Sequence, residues 1–163
     1  MMGFFSRWFQ GSKPALMEAR ARDAVAVAAV HARSFRHGWS EAEFERLLSE
    51  RTTLGHVARA GGGRGAITGF VLSHVVHDEA EILVVAVAPS SRGRGLARRL
   101  IEVHLARLAA LGAKQVFLEV EEGNVPASRL YDRAGFRQVG RRGGYYRRAE
   151  HDTAALVLGR DLR

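Results

Sequence analysis

Glu81-Ile82-Leu83-Val84-Val85-Ala86-Val87, stopped by Pro89 and followed by Arg92-Gly93-Arg94-Gly95-Leu96-Ala97, decides how this 163-residue chain is read. The first run is nearly continuous apolar sequence, as expected of a strand at the centre of a sheet. The glycine–arginine run leads straight into a helix that lasts to about Leu111. Leu100, Ile101, Leu108 and Leu111 supply its buried stripe, and Gly112 ends it. Small residues let the backbone come close to a ligand, and first-turn N–H groups lack intrahelical partners. The helix dipole adds partial positive charge and the arginines add full charge. Together these features make a pyrophosphate cradle. A plain connecting turn is the competing reading of Gly-x-Gly; the apolar strand and the interleaved arginines argue against it. The Rossmann pattern is excluded because a third glycine and the downstream acid are not in place. The Walker pattern is excluded because no Gly-Lys-Ser/Thr follows.

Downstream, Gln115–Val120 reads as a strand, Pro126–Ala134 as a short helix, Phe136–Gly140 as a strand and Ala154–Leu158 as a closing strand. Glu119 ends the first of these, where burial would raise its pKa toward that of a useful general base. Tyr131 lies twelve residues on, with a phenol that can serve as general acid. On residue types alone, a salt bridge for Glu119 and core packing for Tyr131 are the plainer roles.

Upstream, Ala15–Arg20 reads as a strand and Asp23 as the cap of a helix through about Phe35. The loop Arg36-His37-Gly38-Trp39 follows. Ser40 with Glu43 forms a capping box for the next helix, whose buried face is Phe44, Leu47 and Leu48. His56–Ala60 and Ile67–Val76 are strands joined by Gly61-Gly62-Gly63-Arg64-Gly65. That turn reads as a hairpin rather than a phosphate loop, because no helix follows it. With no repeat and no linker, residues 15–163 are expected to form one α/β domain behind a short tail, 1–14.

Composition narrows the function classes. There is no cysteine, which removes disulfides, thiolate zinc sites and a cysteine nucleophile, and agrees with a cytoplasmic protein. The 25 Lys and Arg outnumber the 17 Asp and Glu, an excess that suits anionic partners or a solvated arginine-rich surface. No apolar run approaches the ~20 residues of a membrane span. Phe4, Phe5, Trp8 and Phe9 lie in a tail that lacks the organisation of a signal peptide. The seven histidines show no metal-ligand spacing, so no metal is expected.

Arg92-x-x-Gly95-x-Ala97 resembles the acetyl-CoA-binding signature of the GNAT superfamily, Gln/Arg-x-x-Gly-x-Gly/Ala. Asn124 followed by Ala127, Leu130-Tyr131 and Gly135-Phe136 resembles its closing block. Four further stretches are similar to the RimI-type bacterial ribosomal-protein-alanine N-acetyltransferases. They are Trp39-Ser40, Asp78-Glu79-Ala80-Glu81-Ile82-Leu83, Leu118-Glu119-Val120 and Arg142-x-x-Tyr145-Tyr146. The resemblance spans about Arg20 to Leu158.

It implies a GNAT fold, a mixed and mostly antiparallel sheet flanked by helices and splayed between Glu81–Val87 and Gln115–Val120. It also implies roles. Val85, Ala86 and Val87 would present backbone groups to the acetyl and pantetheine portion of acetyl-CoA. Arg92 opens the signature, and Gly93, Arg94, Gly95, Leu96, Ala97 and Arg98 would hold the pyrophosphate. Asn124 would contact the pantetheine arm. Glu119 would be the base and Tyr131 the acid, while Trp39, Tyr145 and Tyr146 would line the acceptor groove. Transfer would be direct, with no cysteine to carry the acetyl group. The expected acceptor is a protein N-terminal α-amine, ideally the alanine of a small-subunit ribosomal protein, and no DNA partner is expected. The alternatives are a small-molecule amine acceptor and a non-catalytic ribosome- or RNA-binding module. Ala97 is an allowed variant of the signature. The stretch from Arg142 to Asp152 departs more, lacking the proline common after the paired tyrosines and carrying extra Gly and Arg.

Overall fold

Apolar runs punctuated by glycine and proline fold into seven strands and four helices in a computed structural model that describes residues 12–147 and 152–163. The tail before Ser12 lies outside the described residues. In chain order the elements begin with β1 (Ala15–Glu18), α1 (Ala24–Ala32), α2 (Glu41–Ser49) and β2 (Thr53–Arg59). They continue with β3 (Ile67–Val76), β4 (Glu79–Val87), α3 (Leu96–Ala110) and β5 (Gln115–Glu121). The last are α4 (Val125–Arg133), β6 (Arg137–Arg147) and β7 (Asp152–Asp161). One sheet runs in the order β1-β2-β3-β4-β5-β7-β6. Only the β4–β5 pair is parallel among the described pairings. A parallel pair requires a crossover, and α3 supplies it.

The helices divide between the two faces of the sheet. On one face α3 buries Leu100, Ile101 and Leu108 against Val71, Val116 and Leu118, and α4 packs beside it through Leu130 and Tyr131. On the other face Val27 of α1 and Phe44 of α2 pack against Val57, Phe70 and Leu72. Each such side chain contributes about 1.5–3 kcal/mol by leaving water.

Some details differ from the sequence reading. Leu111 is exposed, and His104 and Leu105 take the buried positions. The helix ends one residue earlier, in a Schellman motif: Ala113 N–H bonds Leu108 O and Gly112 N–H bonds Ala109 O. Asp23 stands at the N-cap of α1 as read, but its side chain bonds no first-turn amide of that helix. Its carboxylate accepts from the Arg20 N–H at 2.8 Å and pairs with Arg59 at 2.6 Å, pinning the start of α1 to β2. The Ser40–Glu43 capping box forms as read, with Ser40 N–H to Glu43 at 2.6 Å and Glu43 N–H to Ser40 Oγ at 3.2 Å.

A polar chain crosses the α3 face. His56 Nδ1 lies 2.8 Å from His104 Nδ1, and His104 Nε2 lies 2.6 Å from Ser73 Oγ. All three residues are buried. The chain ties α3 to β2 and β3, and as neutral rings the two imidazoles satisfy each other with one donor and one acceptor.

Candidate active site

The sheet opens where a bulge interrupts β4. Leu72 pairs with Val84 and Ser73 with Ile82, leaving Leu83 as an extra residue on β4. Pairing between β4 and β5 ends at the same point, with Ile82 opposite Leu118. Beyond it β4 stays paired to β3 as far as Val87, and β5 stays paired to β7 as far as Glu121. A bulge bends its strand and raises the local twist, which accounts for the divergence. It also reverses the faces: Ala80 and Ile82 pack toward α3, whereas Val84 and Ala86 pack toward α1 and α2.

The diverging edge leaves backbone groups facing the gap. Ala88 N–H bonds Thr68 O on β3, so Ala86 also bonds back to β3 by the antiparallel alternation. The amides and carbonyls of Val85 and Val87 therefore point toward the opening. The Ala86 peptide is committed to β3, so of the three residues read as one backbone platform, two present their groups.

At the end of the gap stands the α3 N-terminus. Gly93 and Gly95 have φ of 78° and 75°, left-handed conformations that glycine adopts freely. Gly95 is the N-cap, with no side-chain bond closing the first-turn amides. A Cβ at either glycine would meet nothing within 4 Å, so the turn is open toward solvent. Leu96 is buried and Ala97 packs partly on the core, which anchors the turn. The arginines divide their work. Arg92 points back, donating from Nε to Val87 O at 2.9 Å and from its guanidinium to Ser34 Oγ at 3.1 Å, so it braces the loop. Arg98 is exposed and pairs with Glu102 at 2.9 Å. Arg94 borders a cavity of about 630 Å³ together with Lys13, Arg99, Ser91 and Thr68. Lys13 and Arg99 are cations that sequence reasoning missed, because they reach the cradle only through the packing of β1 and α3.

Asn124 is the N-cap of α4, its Oδ1 accepting from Ala127 N–H at 3.3 Å. That leaves the amide nitrogen as its donor group. Glu119 and Tyr131 occupy opposite faces of the sheet. Val116, Leu118 and Val120 of β5 pack toward α3, so by strand alternation Glu119 points the other way. Tyr131 packs on the α3 face, its ring edge-on to Phe136 at 5.8 Å. The Glu119 carboxylate, 19% exposed, pairs with Arg142 of β6 at 3.1 Å. That partner was invisible in the pattern, because β6 and β5 are separated by β7.

Glu119 lines a second cavity of about 320 Å³ with His74, Glu79, Glu81, Phe117 and Arg142. Its walls carry three carboxylates. Glu79 and Glu81 entered the sequence reading only within a motif, and the parallel register places them opposite Gln115 and Phe117. Trp39 lies on the same face as Glu119, half-buried against the cluster that includes Leu83, Val84 and Ala86. Tyr145 and Tyr146 belong to β6, and their side chains lie outside the described residues. Among the described residues no group of His, Cys, Asp and Glu could hold a metal ion. No helix among them is long and apolar enough to cross a membrane.

Comparison with known proteins bears on this geometry. Residues 24–136 match the model of the acetyltransferase (GNAT) family. The chain is 30% identical over 141 residues to a [ribosomal protein bS18]-alanine N-acetyltransferase of Salmonella typhimurium, covering 83% of this chain and 89% of that protein. Among solved structures, the ribosomal-protein-S18-alanine N-acetyltransferase of Escherichia coli superposes with a TM-score of 0.83 at 26% identity, over 91% of this chain and 94% of that one. Arabidopsis thaliana NAA60 in complex with acetyl-CoA superposes with a TM-score of 0.79 at 20% identity, over 91% and 98%, a likeness of fold.

Proposed function

The chain belongs to the acetyltransferase (GNAT) family, and from that premise we propose that it moves the acetyl group of acetyl-CoA onto a protein N-terminal α-amine. The favoured acceptor is the N-terminal alanine of a small-subunit ribosomal protein, acetylated in the cytoplasm. The observation that carries this reading is the bulge-driven opening between β4 and β5, with an anion cradle at one end and Glu119 on its far face.

The residues fit acetyl-CoA. The amides of Leu96, Ala97 and Arg98 with Arg94 would hold the pyrophosphate, and Lys13 and Arg99 suit its further phosphate. The edge at Val85 and the Val87 N–H, whose own carbonyl is held by Arg92, would hydrogen-bond the pantetheine arm as an added strand does, with Asn124 donating from the other side. Bound there, acetyl-CoA supplies an activated thioester.

Glu119 would take a proton from the acceptor ammonium, directly or through water. That ammonium carries the same charge as the Arg142 guanidinium and would replace it at the carboxylate. The freed amine would attack the thioester carbon, forming the C–N bond as the C–S bond breaks and losing its second proton to water, while a Val85 or Val87 N–H would donate to the carbonyl oxygen as it gains charge. Tyr131, on the opposite face, would give its phenolic proton to the departing thiolate. The two groups thus serve the two sides of one opening.

A second reading draws on the acidic cavity. Glu79, Glu81 and Glu119 together also suit a small polyamine. Labelled acetyl-CoA, a panel of N-terminal peptides and spermidine separate the two, with mass spectrometry locating the acetyl group. Label on the α-amine of alanine-initiated peptides is expected. Label on spermidine alone would overturn the peptide reading, and no transfer to any amine would overturn both.

A further inference from the structure

We propose that His31 is the residue that positions Trp39 for the acceptor, through the bond that its Nδ1 accepts from the Trp39 backbone N–H. The inference rests on the reading above in which Trp39 borders the acceptor groove.

The bond is 3.3 Å long and His31 is only 4% exposed. Among the described residues it is the hydrogen bond that ties the Arg36–Trp39 backbone to the body of the fold. The loop closes tightly over the ring: a Cβ at Gly38 would lie 3.4 Å from His31 Nδ1. The Trp39 ring stacks on the imidazole, with centroids 5.4 Å apart and planes at 18°. Phe35 covers the ring at 4.5 Å, Phe44 meets it at 5.3 Å and 68°, and Phe70 lies at 6.4 Å. This aromatic cluster rests on Leu83, Val84 and Ala86, the part of β4 whose other edge is open. Moving Trp39 therefore moves the wall of the opening on the Glu119 side.

The bond requires an unprotonated Nδ1, so the neutral ring carries its proton on Nε2. A protonated ring would aim an N–H at the Trp39 N–H and the contact would be lost. The elements packed on the ring present Phe44 from α2 and Phe70 from β3. In its own segment Arg33, Arg36 and His37 lie nearby, and Arg92 reaches Ser34 from the loop before α3. Burial holds the His31 pKa below the ordinary imidazole value. The contact is thus intact at neutral pH and is released on acidification below the ordinary imidazole range.

The test uses the full chain with Trp8→Phe, which leaves Trp39 as its sole tryptophan. His31→Leu removes the acceptor atom and keeps a side chain of similar bulk. His31→Asn hangs an oxygen on the same Cγ and should restore the bond. With an alanine-initiated peptide, His31→Leu should raise the acceptor KM roughly two- to tenfold, the effect of one lost hydrogen bond. The kcat and the acetyl-CoA KM should stay within about twofold, and His31→Asn should recover the acceptor KM. Trp39 emission should show an acid transition that both His31 variants lack. An unchanged acceptor KM in folded His31→Leu, or an acid transition that persists in it, overturns the proposal. A parent protein that acetylates no peptide overturns the function proposed above instead, and the emission arm still decides whether His31 holds Trp39.

Discussion

Lowering the pH from 7 to 5 should weaken this fold by an amount that the buried His56–His104 pair sets. His104 is fully buried on the sheet-facing side of α3, and burial, reinforced by His56, lowers its pKa to about 3. In the unfolded chain the same ring titrates near about 6.5. Below that value the unfolded state therefore binds a proton that the native state refuses. The stability this contributes is complete above about pH 6.5 and is lost as pH falls toward about 3. Each pH unit in that window removes about 1.4 kcal/mol, so the step from pH 7 to 5 removes about 2 kcal/mol. His56 and His31, both lowered by burial, act with the same sign. Against a total of about 5–15 kcal/mol for a domain, that is a large fraction. The control is His56→Leu/His104→Leu/Ser73→Ala, which replaces every member of the chain by an apolar group and strands no polar atom. Urea unfolding followed by circular dichroism at both pH values gives the free energies. The parent protein should lose at least about 2 kcal/mol more than the triple variant on acidification. Equal losses would refute the linkage and assign the acid sensitivity to carboxylates.

The remaining predictions concern chemistry. Gly95→Glu puts an L residue at a φ of 75° and a negative charge in the anion cradle, so acetyl-CoA affinity should collapse while the fold survives. Wild-type affinity by calorimetry in the folded variant would remove the cradle from the site. Glu119→Gln keeps the shape but cannot take a proton, so turnover should fall by roughly 10²–10⁴ with acetyl-CoA binding little changed. Near-full turnover across the pH range would leave Glu119 as the partner of Arg142 and nothing more. Tyr131→Phe removes one oxygen and keeps the ring contact with Phe136. The kcat should drop with the melting temperature nearly unchanged, and a kcat within a few-fold of the parent would take the phenol out of the mechanism.

By itself, the sequence determined whatever depends on neighbours along the chain. The apolar run before Val87, the glycine pair at 93 and 95, the Ser40–Glu43 cap and the stop at Gly112 are local rules. Each appears in the structure where the spacing put it, and with the family motifs they specified the fold and the acetyltransferase class. Distant partners were not legible. Leu83 looks like any other residue of an apolar strand, and only its pairing with β3 makes it the bulge that opens the sheet. A salt bridge for Glu119 is legible on residue types, but its partner is not until β7 brings Arg142 across from β6. Asp23 holds the cap position read from the sequence, but only β2 shows that its carboxylate is engaged by Arg59. Histidines 31, 56 and 104 carry no spacing signal, because their bonds reach a loop backbone and other elements rather than a metal. Local sequence selects backbone conformation, whereas register and long-range packing select which side chains meet, and the chemistry of this opening depends on the second.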